Sequence, residues 1–397
     1  MTSPEVRFLR RAFGVEVDGP AEPVDGRKLL ALVRFHKVLP FIWPVCREAG
    51  LRDTPAISHF EVLETAHAKL RRTSERLIEA TSPVIDALAR RVPTILFKGA
   101  HIAEFAYSRD IPRPMGDIDV CVREAHVEDA VRICREHLTV PQLLPDRLRF
   151  YRSWRGQLAL TNRATGASID LHWWPNNSPL MDLACGFTTE ALWARAQPAS
   201  WYGAPVSFPS REDTLLMNAV YMSYENWFQV LRQFVDHGSI AAQASLPDTF
   251  ARAREVGLTR VLAVSLLMWQ AIFERSLPGG AELDLGNCTL SRGMQAKARR
   301  IWARPSLATR TAHWGITERV SWSRYLVRTF ECARIYGLTD VNRRRELAQR
   351  LLLPDPAMMR RLYLSDRVPA MAALHPFSVL IGCVAPGGPL GQRFIQP

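Results

Sequence analysis

The chain has 397 residues, of which 47% are hydrophobic and 23% are charged, and it carries a formal net charge of +12. This composition excludes a wholly disordered protein, and the length is typical of two or three domains. The seven cysteines contain no Cys-x-x-Cys pair, which argues against a disulfide scaffold or a structural zinc site. Residues 1–15 lack the apolar core of a signal peptide, and no stretch is apolar for the length of a membrane span, so we expect a cytoplasmic protein.

Hydrophobic periodicity predicts helices in the first part of the chain, at residues 6–13, 26–35 and 60–91. The pattern changes at Pro93, where short apolar and β-branched runs begin. Strands are expected at 94–97, 117–122, 157–161, 167–173 and 201–208, with helices at 99–108 and 124–138.

Helical periodicity returns at Ser210 and continues through an arginine-rich stretch. The predicted organisation therefore has four parts. These are an N-terminal helical region (1–91), an α/β core (92–209), a C-terminal helical, Arg-rich region (210–367) and a loosely held tail (368–397).

The positive charge is concentrated in residues 292–367, which contain 16 arginines and one lysine against six acidic residues. Such a region fits either a phosphate-rich partner or, more commonly, arginines that solvate the outer faces of helices. Tryptophans and tyrosines interleave with these arginines, which keeps a nucleic-acid partner under consideration.

Two aspartates alternate with apolar residues in Asp117-Ile118-Asp119-Val120. Side chains alternate faces along a strand, so Asp117 and Asp119 are expected on one face and the two apolar residues on the other. Two carboxylates so close repel each other unless a cation lies between them, and paired oxygen ligands suit Mg²⁺. A surface edge strand would show the same alternation, so this pair alone does not decide the function.

The surrounding sequence favours the metal interpretation. Lys98 and Gly99 lie where a predicted strand turns into a helix, and a glycine there allows phosphate to approach the backbone N–H groups. Lys98 is also one of only five lysines in the chain. A later strand presents Asp170 and His172 on one face, which supplies a third carboxylate. Three strand-borne acids match the two-metal scheme for phosphoryl and nucleotidyl transfer.

Taken together, Lys-Gly at 98–99, Met-Gly-Asp-Ile-Asp at 115–119 and Asp-Leu-His-Trp at 170–173 resemble a known family. It is the uncharacterised nucleotidyltransferase family of the DNA polymerase β superfamily. The similarity extends from about residue 30 to about residue 360, where Leu353-Pro354-Asp355 is similar to the family's C-terminal pattern. The resemblance implies an α+β fold, with a small mixed polymerase-β-like sheet flanked by N-terminal and C-terminal helical regions.

The resemblance also implies Mg²⁺-dependent transfer of a nucleoside monophosphate from a nucleoside triphosphate. Asp117 and Asp119 would bind two metal ions and, through them, the triphosphate. Asp170 would bind the catalytic ion and help to deprotonate the acceptor hydroxyl.

Four residues are expected to bind the nucleotide. Gly99 and Ala100 occupy the place where the wider superfamily has Gly-Ser, so one phosphate-binding hydroxyl is missing and Lys98 is expected to compensate. Arg113 is a further candidate for phosphate binding, weighed against an ordinary loop arginine.

Three other residues are candidates for the acceptor pocket or for a supporting role. His172 is expected to orient Asp170, to touch the acceptor or to be a buried structural histidine. Arg232 and Asp236 have the i, i+4 spacing of a helical ion pair, which favours a structural bridge over a place in the acceptor pocket.

We therefore expect a nucleotidyltransferase that moves NMP, most simply AMP, from ATP or another NTP to a hydroxyl of a small molecule, peptide or protein. Two Mg²⁺ ions are the expected cofactors, and pyrophosphate is the leaving group. Two alternatives stay open. One is a nucleotidyltransferase that modifies a nucleic acid, such as a tRNA-like RNA, and uses the basic region to bind it. The other is a non-catalytic nucleotide-binding module with the same fold.

Overall fold

The computed structural model describes residues 3–18, 22–50, 57–107, 113–138, 156–162, 164–175, 185–224, 228–277 and 288–302. No α-helix among these residues has both the length and the apolarity needed to cross a membrane. The described α-helices are α1 (Pro4–Ala12), α2 (Gly26–His36), α3 (Leu39–Gly50), α4 (Phe60–Ala89), α5 (Lys98–Ala106), α6 (Val127–His137), α7 (Thr189–Trp193), α8 (Arg211–Tyr224), α9 (Leu231–Ala241), α10 (Leu246–Glu255), α11 (Thr259–Phe273) and α12 (Arg292–Arg300).

The described strands form a parallel pair and a mixed sheet of six strands. The pair consists of β1 (Val24–Asp25) and β2 (Ile57–Ser58). The sheet contains β3 (Ile95–Leu96), β4 (Ile118–Cys121), β5 (Gln157–Thr161), β6 (Ser168–His172), β7 (Gln197–Trp201) and β8 (Ala204–Phe208). Its order is β5-β6-β4-β3-β8-β7, in which β4 is parallel to β6 and antiparallel to β3. The predicted α+β class with a small mixed sheet is confirmed.

Both faces of the central strands are covered, and this decides where the acids point. Ile118 and Val120 on β4 belong to an apolar cluster with residues of α4 and α6. Cys121, on the opposite face of β4, belongs to a second cluster with residues of α8, α9, α10 and α11. Asp119 alternates with Ile118 and Val120, so its carboxylate lies on the face of the sheet that the later helices cover.

The N-terminal helices pack against the later helices rather than standing apart. One apolar cluster joins Leu29 of α2 to Phe234 of α9 and Ile272 of α11. In addition, the backbone N–H of Leu231, at the start of α9, donates to His36 Nδ1 at the end of α2, at 3.4 Å. This packing brings the end of α2 next to α9, although the boundaries predicted at 91/92 and 209/210 stay predictions.

The strand predicted at 201–208 is confirmed for residues 204–208, where β8 forms, but the prediction missed that Trp201 ends a preceding strand, β7. β7 and β8 pair antiparallel around Tyr202 and Gly203, whose φ values are 49° and 87°. Two consecutive positive φ values are typical of the tight turns that join hairpin strands. The turn residues are Tyr202 and Gly203 rather than the usual Asn-Gly, so the sequence pattern did not predict a turn here. The helices predicted beyond residue 302 and the tail at 368–397 lie outside the described residues.

Candidate active site

The strand register places two of the predicted acids side by side. Asp119 on β4 is opposite Asp170 on β6, and Cys121 is opposite His172. One ligand atom from each of Asp119, Asp170 and His172 lies within 4.8 Å of the other two. Asp117 directly precedes β4 and is the most exposed of the three predicted acids, so it lies at the solvent side of this group. We refer to Asp117, Asp119 and Asp170 as the acidic cluster.

Lys98 reaches into the acidic cluster from the start of α5. Its Nζ donates to Asp119 Oδ1 at 3.0 Å and lies 3.5 Å from His172 Nε2. The backbone of Lys98 has a φ of 49°, a left-handed conformation that is costly for a lysine. Strain of this kind is characteristic of functional sites, where the position of the side chain matters more than local stability.

His172 supports Asp119 rather than Asp170. Its ring is fully buried, with Nε2 at 3.0 Å from Asp119 Oδ1 and the ring edge against Phe97, at 4.9 Å between ring centroids. Burial and the charge of Lys98 lower the pKa of His172 to about 4. The imidazole is therefore neutral at pH 7.

The three carboxylates of the acidic cluster ionise differently. Burial opposes charge on Asp119, but Lys98 and His172 outweigh it and hold the pKa of Asp119 well below its usual range. Loss of hydration and the charges of Asp117 and Asp119 raise the pKa of Asp170 to about 7. Loss of hydration and the charge of Asp119 likewise raise the pKa of Asp117. The cluster thus holds more negative charge than Lys98 neutralises, which favours the binding of a cation.

The first turn of α5 begins beside the acidic cluster. No side chain caps this helix, so the backbone N–H groups of its first turn, including those of Gly99 and Ala100, lack a capping partner. The methyl group of Ala100 is buried in the apolar cluster with α4 and α6. Ala100 therefore offers an anion its backbone N–H but no side-chain group.

Gly99 is packed directly against Arg113. A Cβ at position 99 would lie 2.8 Å from Arg113 Nη1, closer than real Cβ contacts come. The guanidinium cannot easily retreat, because it forms a buried fork on Asp236, with Nε to Oδ1 at 3.2 Å and Nη2 to Oδ2 at 2.9 Å. The absence of a side chain at Gly99 is thus a packing requirement as well as an opening for a ligand.

We expect Gly99→Ala to destabilise the protein by about 1–3 kcal/mol, the usual cost of overpacking a rigid site. Urea unfolding would measure the change. Gly293→Ala is the matched control, because Gly293 is also the second residue of its helix and, within the described part of the chain, its Cβ would meet only Ser291 Oγ, at 4.0 Å. The control should match the wild type or be slightly more stable. Equal stability of the two variants would show that Arg113 is not held in place.

Asp236 on α9 pairs with Arg113 instead of with Arg232 on its own helix. Asp236 binds Arg113 and accepts a hydrogen bond from the Tyr107 hydroxyl, so the bridge predicted between Arg232 and Asp236 was wrong. Arg232 instead donates from Nη1 to the carbonyl oxygen of Pro114 at 2.8 Å. These contacts fix residues 113–114, which lead into Asp117 and β4.

The comparisons with known proteins agree with this geometry. A family model described as an uncharacterised nucleotidyltransferase matches residues 22–274. The chain belongs to this nucleotidyltransferase family. The match contains the acidic cluster, α5 and α9 but ends before residue 360, and the segment around Leu353 lies outside both the match and the described residues. Neither the curated proteins nor the solved structures gave a match.

Two aromatic residues and one lysine of the chain join the site without having been predicted. The ring centroid of Tyr221 on α8 lies 5.8 Å from Lys98 Nζ, and Tyr107 bonds Asp236. Lys37, just after α2, interacts electrostatically with Asp117 and Arg232. Neither tyrosine belongs to a recognisable motif, whereas the rarity of lysine in this chain was a usable signal for Lys37.

Proposed function

We propose that this nucleotidyltransferase moves NMP, preferentially AMP, from an NTP to a hydroxyl of a small molecule, peptide or protein in the cytoplasm. The observation that carries the proposal is the parallel register that sets Asp119 beside Asp170 while Lys98 bonds Asp119. An acid pair on adjacent strands next to an uncapped helix start offers both a cation site and a phosphate site.

The residues present suit Mg²⁺, and we propose two ions. The excess negative charge shown by the raised pKa of Asp170, about 7, is what a divalent ion would relieve. Asp119 and Asp170 would hold one ion, and Asp117 with Asp119 the other. When bound, Mg²⁺ neutralises charge on the phosphates and on the leaving pyrophosphate.

The groups of the chain itself account for the remaining steps. The acceptor oxygen forms a bond to the α-phosphorus while the bond from that phosphorus to the bridging oxygen breaks, and pyrophosphate leaves. Asp170 takes the proton from the acceptor hydroxyl, since its carboxylate lies beside Asp119 on the adjacent strand at the proposed metal site. Lys98 moves its contact from Asp119 to a phosphate oxygen, since a flexible ammonium can follow the phosphate as the charge shifts.

Because Lys98 would move from Asp119 to phosphate, Lys98→Met is expected to affect two ligands differently. Affinity for Mg-ATP should fall by about 1–3 kcal/mol, because a charge-assisted hydrogen bond to phosphate is lost. Affinity for Mn²⁺ without nucleotide should stay level or rise, because the ammonium no longer competes for Asp119. Calorimetry measures the first quantity, and the loss of the free Mn²⁺ resonance signal measures the second.

Lys69→Met is the matched control, since Lys69 is exposed on α4. It should leave both affinities at the wild-type values.

The proposed function fails if the wild-type protein binds no nucleoside triphosphate in the presence of Mg²⁺. Titration of the four NTPs in parallel tests the preference for ATP, and a screen for pyrophosphate release with added hydroxyl compounds, peptides or RNA tests the acceptor.

A further inference from the structure

Lys37 occupies a backbone position that is unfavourable for lysine. It follows the last residue of α2 with a φ of 56°, in the left-handed conformation that usually ends a helix with glycine. A side chain costs free energy in that conformation, so glycine would be more stable here. Its side chain reaches solvent, although neighbouring groups remove part of its hydration. The fold therefore carries a lysine where local structure alone favours glycine.

The junction between α2 and α3 is held on both sides by residues of the candidate site. His36 accepts a hydrogen bond from the N–H of Leu231, next to Arg232, at 3.4 Å. Phe41 on α3 packs on Tyr107, with 5.1 Å between the ring centroids, and Tyr107 bonds Asp236. Lys37 lies in the sequence between His36 and Phe41, the two residues that make these contacts. These contacts hold the backbone of Lys37 near α9, which carries Asp236.

Lys37 and Arg232 lie close enough to Asp117 to interact with it electrostatically. Loss of hydration and the guanidinium of Arg232 lower the pKa of Lys37, and Asp117 partly offsets them. Arg113 is neutralised by Asp236. Neither Lys37 nor Arg232 forms an ion pair with any carboxylate in the described part of the chain. Lys37 and Arg232 thus lie near Asp117 without a carboxylate partner among the described residues, although Arg232 donates from Nη1 to the carbonyl oxygen of Pro114.

We propose that Lys37, together with Arg232, binds the polyphosphate of the nucleotide from the side of the N-terminal helices. The inference rests on the proposed function, because it is the metal at Asp117 that would bring the triphosphate to this place. A polyphosphate fits better than a single carboxylate, since two separate cations and a metal ion can share its several oxygens. In this arrangement α2 and α3 contribute to the active site, and the phosphates are held by Lys98 on one helix start and by Lys37 on the end of another.

The test compares Mg-ATP and Mg-tripolyphosphate binding by calorimetry in the wild type, Lys37→Met, Lys37→Gly and Lys37→Arg. We expect Lys37→Met and Lys37→Gly to weaken both ligands by about tenfold or more, the scale of one charge-assisted contact. Lys37→Arg should retain most of the affinity. Lys28→Met on the first turn of α2 is the control and should bind like the wild type, because Lys28 is exposed and lies at the other end of the helix.

Thermal unfolding separates binding from a structural role. Lys37→Gly should melt at a higher temperature than the wild type while binding more weakly, because glycine relieves the left-handed backbone. A lower melting temperature together with weaker binding would overturn the proposal and make Lys37 structural. Full affinity in Lys37→Met beside tight wild-type binding would overturn this proposal alone, whereas a wild type without affinity for either ligand would overturn the proposed function as well.

Discussion

Asp119→Asn is expected to weaken metal-dependent nucleotide binding by about 100-fold or more, since loss of an outer-shell contact alone costs about 10- to 100-fold in metal sites. Asp119 is the carboxylate on which the other groups converge. It bonds Lys98 and His172, each at 3.0 Å, and lies opposite Asp170. Asparagine has nearly the same shape and can still accept a hydrogen bond from Lys98, so the fold should persist while the negative charge is lost.

The measurement is calorimetric titration with Mg-ATP, accompanied by thermal unfolding of each variant. Asp129→Asn on α6 is the control, because the Asp129 side chain is exposed and, among the described residues, its ion pair is with Arg132 on its own helix. Asp117→Asn should have a smaller effect than Asp119→Asn, since Asp117 is exposed at the solvent side of the cluster. The double variant should lose binding entirely. Wild-type affinity in Asp119→Asn, with the fold intact, would remove the acidic cluster from the site.

The sequence predicts the acidic cluster well because its geometry is local. The alternation of Asp117, Ile118 and Asp119 follows from the two-residue period of a strand, and so does the shared face of Asp170 and His172. That these two strands are neighbours in parallel register is a property of the fold. The prediction of three strand-borne acids therefore succeeds for the two on β4 and β6, whereas Asp117 directly precedes its strand.

Long-range contacts explain what the sequence could not predict. Asp236 and Arg232 have the spacing of an ion pair on one helix, yet Asp236 pairs with Arg113, which is 123 residues away. Arg113 prevails because the fork is buried and satisfies both carboxylate oxygens, which an i, i+4 pair on a helix surface rarely does. The left-handed backbone conformation of Lys98 was not predicted either, because the periodicity of apolar residues carries no information about backbone strain.

Arg113→Met is expected to give the largest loss of stability, about 3–5 kcal/mol, because it leaves the buried carboxylate of Asp236 without its counter-ion. Replacing both partners, in Arg113→Met/Asp236→Leu, should recover part of that loss, since both charges of the buried pair are removed, although the Tyr107 hydroxyl loses its acceptor. Urea unfolding measures both variants. Arg90→Met is the control, because Arg90 pairs with Asp86 in an exposed i, i+4 bridge whose removal should cost less than about 1 kcal/mol.

The double variant also decides whether Arg113 binds phosphate, as the sequence suggests. In this structure Arg113 commits two nitrogen donors to Asp236 and packs against Gly99, so its first effect is to fix the approach to the acidic cluster. If that is its whole role, the folded double variant should bind Mg-ATP within a few-fold of the wild type. A loss of tenfold or more in a double variant of restored stability would instead mean that the guanidinium also contacts the nucleotide, because a positioning role alone would be recovered together with the fold.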